Sequence, residues 1–496
     1  MKPIADRFDL VVRQRVLALH QVLVLDSTLS VETAPLDALF EEVAQAARAR
    51  RDSASAWLVF TAMVGRFPNP DEVLDLRRRL ELSRSPAEAA SSTLAATMIP
   101  AARTGVWNRS IRIVQGTIVV DVNFCAKHEH NTGIQRLVRE TVSRWAALGR
   151  DMLLVAWDHE EITRALHPRE NERVVDYANS LRSHAEIEES DSVELVIPFN
   201  TDVLVAEVPF HANLTQLAAI AEHSGNRVSV IGYDAIPLVS ADLVPPEESE
   251  RFAHYLSFVK HCDHVFAISA AAAGEFLGFA SAVRAQGLPA PRVSELSLPV
   301  DLPETWVARV VTSTQVPLVI SVGSHEPRKN QEAILNAAET LWAEGLDFQL
   351  VFVGRGDARL TGPFDRKLAE LRKGGIRVEA RRMASDQELS VLYHSALVTL
   401  FPSLHEGYGL PVAESLAAGT PVITSNFGST AEIGADGGTV LVNPRDDVDL
   451  TNALRRVLTD APFVAELRDQ IAHREHRTWA DYSDGLWSGL MAGKSA

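Results

Sequence analysis

The sequence predicts an α/β protein: two Rossmann-like domains facing a cleft, preceded by an all-α N-terminal extension. Three observations lead there. Residues 1–108 carry helical periodicity and no strand signal. From Ile111 onward, short apolar runs alternate with amphipathic helical stretches, the mark of a doubly wound sheet. Two of those runs end in glycine loops that open helices, near Gly323 and at Gly407 to Gly409, and such sheets hold ligands at strand ends of this kind.

In the extension, Leu36, Leu39, Phe40, Val43, Ala44 and Ala47 recur at helical spacing. The run from Ala56 predicts a helix closed by Gly65, and Pro68-Asn-Pro-Asp71 a turn that starts the next helix near Asp71. Arg77-Arg-Arg79 is a charge run of the sort that faces solvent. Ser91 to Asn108, rich in Ala, Ser and Thr, reads as a linker, so a first unit spans 1–108.

The first Rossmann-like domain is expected over 109–305, with strands at Ile118–Asp121, Leu153–Trp157, Val203–Ala206, Val228–Gly232 and His264–Ser269. A helix begins at Gly133, apolar at Ile134, Leu137, Val138 and Val142. The loops after Asp121, Gly232 and Ile268 then lie on the cleft side. The second domain, 306–475, starts with the strand Pro317–Gly323 and continues with Phe348–Gly354 and Gly375–Glu379. Ser385 caps a helix running to Tyr393. Ala396–Phe401 is a short buried strand, and Pro411–Ala418 a short helix that Gly419 and Pro421 terminate. Residues 476–496 form a last helix, beginning near Trp479.

A length of 496 residues suits about three domains. With 48 basic and 65 acidic residues, the net charge of −17 argues against nucleic-acid binding, so an anionic substrate needs a local basic cluster. Cys125 and Cys262 make neither a disulfide framework nor a zinc pattern, which points to a reducing cytoplasm. The best apolar run, Leu195 to Phe210, is broken by Asn200, Asp202 and Glu207, so membrane contact would be peripheral. No metal site is expected, because the single Asp-x-Asp, Asp447-Val-Asp449, sits at an ordinary helix start.

The chemistry concentrates at Glu406-Gly-Tyr-Gly409. A strand ending in a glycine loop that opens a helix aims free N–H groups at one point, and the helix dipole adds positive charge, so a phosphate fits. Glu406 and Glu414 frame that site, as suits a ligand that also carries hydroxyls: a sugar on one side and a ribose on the other. The plainer reading makes Glu406 a solvated loop residue and Glu414 an ordinary dipole-compensating glutamate. Arg328 and Lys329 sit at a helix N-terminus, where cations oppose the dipole; that placement asks for an anion such as a diphosphate. Asp234 is either a ligand group or a turn-forming Asp at a strand end.

Glu406-Gly-Tyr-Gly-Leu-Pro-Val-Ala-Glu414, with seven residues between the glutamates, resembles the signature of the family-four retaining glycosyltransferases of GT-B fold. Ser321-Val-Gly-Ser-His-Glu-Pro-Arg-Lys-Asn330 and Ala431-Glu432-Ile433 fit as well. Tyr233-Asp-Ala-Ile-Pro-Leu238 is similar to a segment of mannosyltransferase-like members written His-Asp-Leu-Ile-Pro-Leu, with Tyr233 in place of the His. The resemblance implies that Glu406 lies against the donor sugar, Glu414 binds the ribose, and Lys329 with Arg328 holds the diphosphate. Gly323, Met383, Gly407, Tyr408, Gly409 and Leu410 would line the donor, and Asn131, Thr132, Gly133, Tyr233 and Asp234 the acceptor or transferred sugar. Two further positions depart from the family: Ser324 stands where a second cation is usual, and Arg382 where a Gly is.

The activity so implied is transfer of a hexose, mannose being one candidate, from a nucleotide-diphosphate sugar such as GDP-mannose to a glycan, lipid-linked or other acceptor hydroxyl. The chemistry is retaining, metal-free and cofactor-free, in bacterial cell-surface polysaccharide synthesis. Its place would be the cytoplasm, with peripheral contact at the inner face of the plasma membrane. Two alternatives stay open: a nucleotide-sugar epimerase of the same architecture, and a non-catalytic glycan-binding or scaffold subunit. Oligomeric state is not legible.

Overall fold

The computed structural model describes residues 4–27, 29–104, 109–159, 161–182, 193–300, 302, 306, 316–475 and 477–493. Its first part is five helices: α1 (Ile4–Leu23), α2 (Leu36–Arg50), α3 (Ser53–Val64), α4 (Pro70–Leu82) and α5 (Pro86–Thr104). On α2 the residues buried are Leu39, Phe40, Val43, Ala44 and Ala47, as their spacing predicts. Asp52 caps α3 by accepting from the Ser55 amide, and Gly65 closes it at φ 80°. Asn69 and Glu72 form a reciprocal capping box that starts α4 at Pro70. The linker expected from Ser91 is a correction: the chain continues as α5 to Thr104, its Thr93 and Thr97 hydroxyls donating back to carbonyls four residues earlier. Its composition misleads because Ala is the best helix former of all.

These helices share a core with the first sheet. Helix α3 is buried from Ser55 to Val64, because it is apolar all round and is enclosed on every side. Trp57 is fully buried and stacks on Phe67 at 5.5 Å, and Phe67 meets Trp157 of the sheet edge-on at 5.6 Å. Arg15 reaches the carbonyls of Ala62 and Arg109. The extension is thus one covering layer of the first sheet, in one continuous apolar cluster with it.

The first sheet contains β1 (Ile111–Val114), β2 (Ile118–Asp121), β3 (Met152–Asp158), β4 (Ile162–Ala165), β5 (Leu195–Pro198), β6 (Asp202–Val205), β7 (Arg227–Gly232), β8 (His264–Ala267) and β9 (Arg292–Glu295). Their order is β1-β5-β4-β3-β2-β6-β7-β8-β9, parallel except where β4 pairs with β3 and β5. The second sheet is β10 (Leu318–Val322), β11 (Gln349–Val353), β12 (Val378–Arg381), β13 (Val398–Phe401), β14 (Val422–Ser425) and β15 (Thr439–Val442), all parallel, in the order β12-β11-β10-β13-β14-β15. Strands such as β13 and β14 are buried along their whole length, so neither shows the polar–apolar alternation of a half-exposed strand. Strand β12 begins at Val378, later than the expected Gly375.

Each sheet has one point where the strand order reverses: between β2 and β6 in the first, and between β10 and β13 in the second. Crevices outside such points are where open α/β sheets bind ligands. The last helix, Trp479–Ala492, returns to the first domain. Trp145 donates from Nε1 to the Ser483 carbonyl at 2.9 Å and meets Trp487 edge-on. Gly489 lies so close to β8 that a Cβ there would sit 2.5 Å from the Phe266 ring.

Trp57→Ala is expected to destabilise the protein by about 3–5 kcal/mol, the usual loss for emptying a buried aromatic site. Because α3 and the sheet share one core, tryptophan fluorescence and far-UV circular dichroism should report the loss at the same denaturant midpoint; an early, separate unfolding of the helices alone would show them to be an independent body.

Candidate active site

The reversal between β10 and β13 puts two loops side by side. After β10, Gly323 has φ 151° and carries the chain past the Lys329 side chain, which a Cβ at Gly323 would meet at 3.5 Å. Pro327–Lys329 is one turn of 3₁₀ helix, and Asn330 at φ 59° turns the chain into the helix Gln331–Ala343. After β13, residues 402–409 lead into the helix Leu410–Ala417. Gly409 precedes that helix at φ 112°, where a Cβ would come within 2.9 Å of Thr430.

Glu406 lies between the two cations. Lys329 Nζ donates to its Oε1 at 2.6 Å and Arg328 Nη1 to its Oε2 at 2.8 Å. Burial pushes this carboxyl up, but Lys329 and Arg328 outweigh it and hold Glu406 below the ordinary carboxylate range. The Phe401 ring lies 4.9 Å from Lys329 Nζ. Arg328 is further fixed by Glu326, and its pKa is raised by Glu406 against the pull of burial. One turn into its helix, Glu414 is also buried. It accepts from Tyr393 at 3.1 Å and from Arg136 Nη1, yet burial dominates and raises its pKa.

The first domain closes over these groups. A Cβ on Gly407 would lie 2.5 Å from the Tyr233 carbonyl oxygen and 2.9 Å from Asp234 Oδ2; one on Gly133 would lie 2.9 Å from Leu410. Ser269 donates to the Gly407 carbonyl at 2.6 Å. Glu432 accepts from the amides of Ala270 and Ala271, capping the helix Ala270–Ala285 across the seam. His405, next to Glu406, bonds Glu275 at 2.6 Å and Ser240 at 2.8 Å, both from the first domain. A cavity of about 660 Å³, lined in part by Glu295, Ser297, Leu298, Tyr408, Glu432 and Arg474, is not lined by Lys329 or Glu406.

Of the residues the sequence singled out, Glu406, Lys329, Arg328, Gly323, Gly407, Gly409, Leu410, Glu414 and Asp234 come together here. Asp234 is half-buried, desolvation raises its carboxyl, and it accepts from the Ile236 amide. Asn131 and Thr132 are exposed beside Gly133; Asn131 accepts from Arg139, and Thr132 caps the helix Gly133–Ala147 with Gln135. Two expectations are corrected. Tyr233, expected on the acceptor side, is a core residue whose hydroxyl donates to the Ala206 carbonyl at 2.6 Å. Tyr408, expected to line the donor, donates instead to the Leu298 carbonyl at 2.6 Å, where the chain leaves the first domain. Met383 is 75% exposed and touches Arg355. The sequence did not single out Arg136, His405 or Glu275. Arg136 gave one signal, a cation one turn inside a helix opened by a glycine loop.

Residues 304–476 match the family model described as glycosyl transferases group 1. Among curated relatives, the serotype-specific mannosyltransferase WbdA of Escherichia coli is 25% identical over 278 residues, 55% of this chain and 34% of that protein. An MMP alpha-(1->4)-mannosyltransferase of Mycolicibacterium hassiacum is 37% identical over 147 residues, 29% of this chain and 34% of its own length. The GDP-mannose-dependent alpha-(1-6)-phosphatidylinositol dimannoside mannosyltransferase of Mycobacterium tuberculosis is 26% identical over 265 residues, 51% of this chain and 65% of that one. The chain thus spans about a third to two thirds of the length of these relatives.

Among solved structures, a sucrose-phosphate synthase from Thermosynechococcus elongatus superposes with TM-score 0.52 at 16% identity, over 77% of this chain and 100% of that one. HepE of Anabaena, solved with UDP and glucose, gives TM-score 0.53 at 11% identity, over 76% and 99%. The fold shared with them is the two-domain GT-B architecture.

The His405 contact has a pH signature. The hydrogen bond to Glu275 raises its pKa above the ordinary histidine value, with Asp234 and Glu406 adding to the effect against burial. The folded protein therefore holds this proton more tightly than the unfolded chain; the contribution is complete below about pH 6.5 and fades as pH rises through the folded value. His405→Ala should lower stability more at about pH 5.5 than at about pH 9, by roughly 1 kcal/mol. Equal losses at both pH values in thermal melts would show that the proton plays no part in the seam.

Proposed function

We propose that this chain moves a hexose, with retention at the anomeric carbon and without metal or cofactor, from a nucleotide-diphosphate sugar to an acceptor hydroxyl. The observation that carries this reading is Glu406, its side chain 9% exposed, held between Lys329 and Arg328 where the strand order reverses, with Asp234 of the other domain against the adjoining Gly407. Two cations at a loop beside the start of a helix suit a diphosphate, and carboxylates beside them suit hydroxyls.

On that reading the diphosphate takes Lys329 and Arg328 from Glu406, and the carboxylate so released accepts sugar hydroxyls. Glu414 accepts from the ribose. As the sugar–oxygen bond breaks, negative charge grows on the leaving diphosphate. Lys329, Arg328 and the N–H groups at Gly409 and Leu410 stabilise it, and preorganised stabilisation of developing charge usually contributes more to catalysis than any other effect. The acceptor oxygen bonds the anomeric carbon on the face from which the diphosphate departs, its proton passes to the departing phosphate oxygen there, and Asp234 orients the acceptor or the sugar. Positioning supplies the rest.

Mannose and GDP-mannose are the proposed sugar and donor, because several relatives are mannosyltransferases and one is named for GDP-mannose. The proposed acceptor is a glycan, lipid-linked during surface polysaccharide synthesis, met by peripheral contact at the cytoplasmic face of the membrane. No helix among the described residues is long and apolar enough to cross a membrane.

A ligand bound by the folded state raises the melting point by mass action, about 2.7 kcal/mol at a hundredfold excess over Kd. GDP-mannose without added metal should produce that shift, UDP-glucose should not, and Glu414→Ala should abolish it. Lys329→Ala should lower kcat by about 10²–10³, the usual consequence of losing one electrostatic stabiliser of the transition state. A shift with UDP-glucose alone overturns the choice of donor; no shift with any nucleotide sugar overturns the transferase reading.

A further inference from the structure

We propose that Arg136, contributed by the first domain, is a third cation for the donor's diphosphate. The inference rests on the donor-site reading above and adds to it a residue from across the cleft. Arg136 lies one turn into the helix Gly133–Ala147, whose first residue touches Leu410 at the start of the helix that carries Glu414. Through Glu414 it contacts the helix at whose first N–H groups a phosphate is expected.

Three features point to an anionic ligand. First, the Arg136 side chain is 13% exposed, and only Nη1 is used, on Glu414. Nε and Nη2 are buried and find no hydrogen-bond partner among the described residues. A guanidinium has five donors in a fixed fork, and buried donors left without acceptors are unfavourable. Second, the ring of Trp479, on the last helix, lies 5.7 Å from the guanidinium carbon. That face holds the group in place when Glu414 turns to another partner. Third, the charges at the site pair among themselves: Lys329 and Arg328 on Glu406, Arg136 on Glu414.

A nucleotide-diphosphate sugar offers the matching set. Its hydroxyls suit both carboxylates, and its phosphate oxygens suit all three cations, so binding exchanges every partner without leaving a charge alone. The planar fork of Arg136 can take two phosphate oxygens at once. The exchange also makes tight binding depend on both domains, since Lys329 and Arg328 come from one and Arg136 from the other.

The test is titration calorimetry on the full chain with GDP and UDP and with the nucleosides guanosine and uridine, for the wild type, Arg136→Gln and Arg136→Lys. Wild-type affinity for a nucleoside diphosphate over its nucleoside measures what the phosphates contribute. Arg136→Gln should weaken the diphosphate by about ten-fold or more and leave the nucleoside within about two-fold, while Arg136→Lys, keeping the charge, should recover part of the loss. Unchanged or tighter diphosphate binding by Arg136→Gln overturns the proposal and makes Arg136 a brace on Glu414. Equal weakening of diphosphate and nucleoside overturns it too, since the effect then runs through the ribose carboxylate. A wild type that binds neither diphosphate removes the donor-site reading itself, and Arg136 with it.

Discussion

A carboxylate withdrawn from water has to be given counter-charge and hydrogen bonds, and around Glu406 that requirement arranges the cleft. The loop holding Glu406 leaves β13, while Lys329 and Arg328 leave β10, its neighbour in the sheet. Because the connections from these two strands run to opposite sides, neither connection covers the gap between them. The cations reach Glu406 only through Gly323 and the left-handed Asn330, which fold the β10 loop back along the strand end. Ser429 fixes the Glu406 loop by donating to the Glu406 carbonyl.

The seam between the domains follows from the same loop. His405 is held by Glu275 and Ser240 of the first domain, and Gly407 lies against Asp234 and the Tyr233 carbonyl. Tyr408 then ties the loop to the Leu298 carbonyl. Many of the contacts between the domains therefore gather on one short stretch of chain. The first domain can serve as a fixed wall because its sheet is covered by the N-terminal helices and gripped by the last helix, with Trp57, Phe67, Trp157, Trp145 and Trp487 filling those contacts. Helices that look like an appendage are part of what keeps the cleft in shape.

Where sequence pattern and structure part, the reasons are specific. Ser91 to Thr104 has a composition common to loops and to helices, and only the burial of Ala89, Ala90, Thr93, Thr97 and Ala101 settles it as a helix. Tyr233 and Tyr408 sit in loops that do reach the cleft, but each aromatic ring points to where it can be buried with its hydroxyl satisfied, in the core and at the crossing. A position in a motif places a backbone, not a side-chain direction. Arg136 and His405 matter through partners far along the chain on the other domain, and a spacing pattern carries no trace of such contacts.

By itself the sequence determined the two Rossmann-like sheets, the all-helical start, the strand–glycine–helix units at Gly323 and Gly409, and Arg328, Lys329, Glu406 and Glu414 as the charged residues at those units. These are matters of local periodicity, turn chemistry and the electrostatics of a helix end, all of which act within a few residues. Tertiary structure alone decided that the N-terminal helices complete the first sheet's core, that Glu406 is saturated by two cations while Glu414 is matched by Arg136, and that His405 locks the seam. Those outcomes depend on which surfaces meet, and burial and charge pairing become definite only when distant segments of chain share one interior.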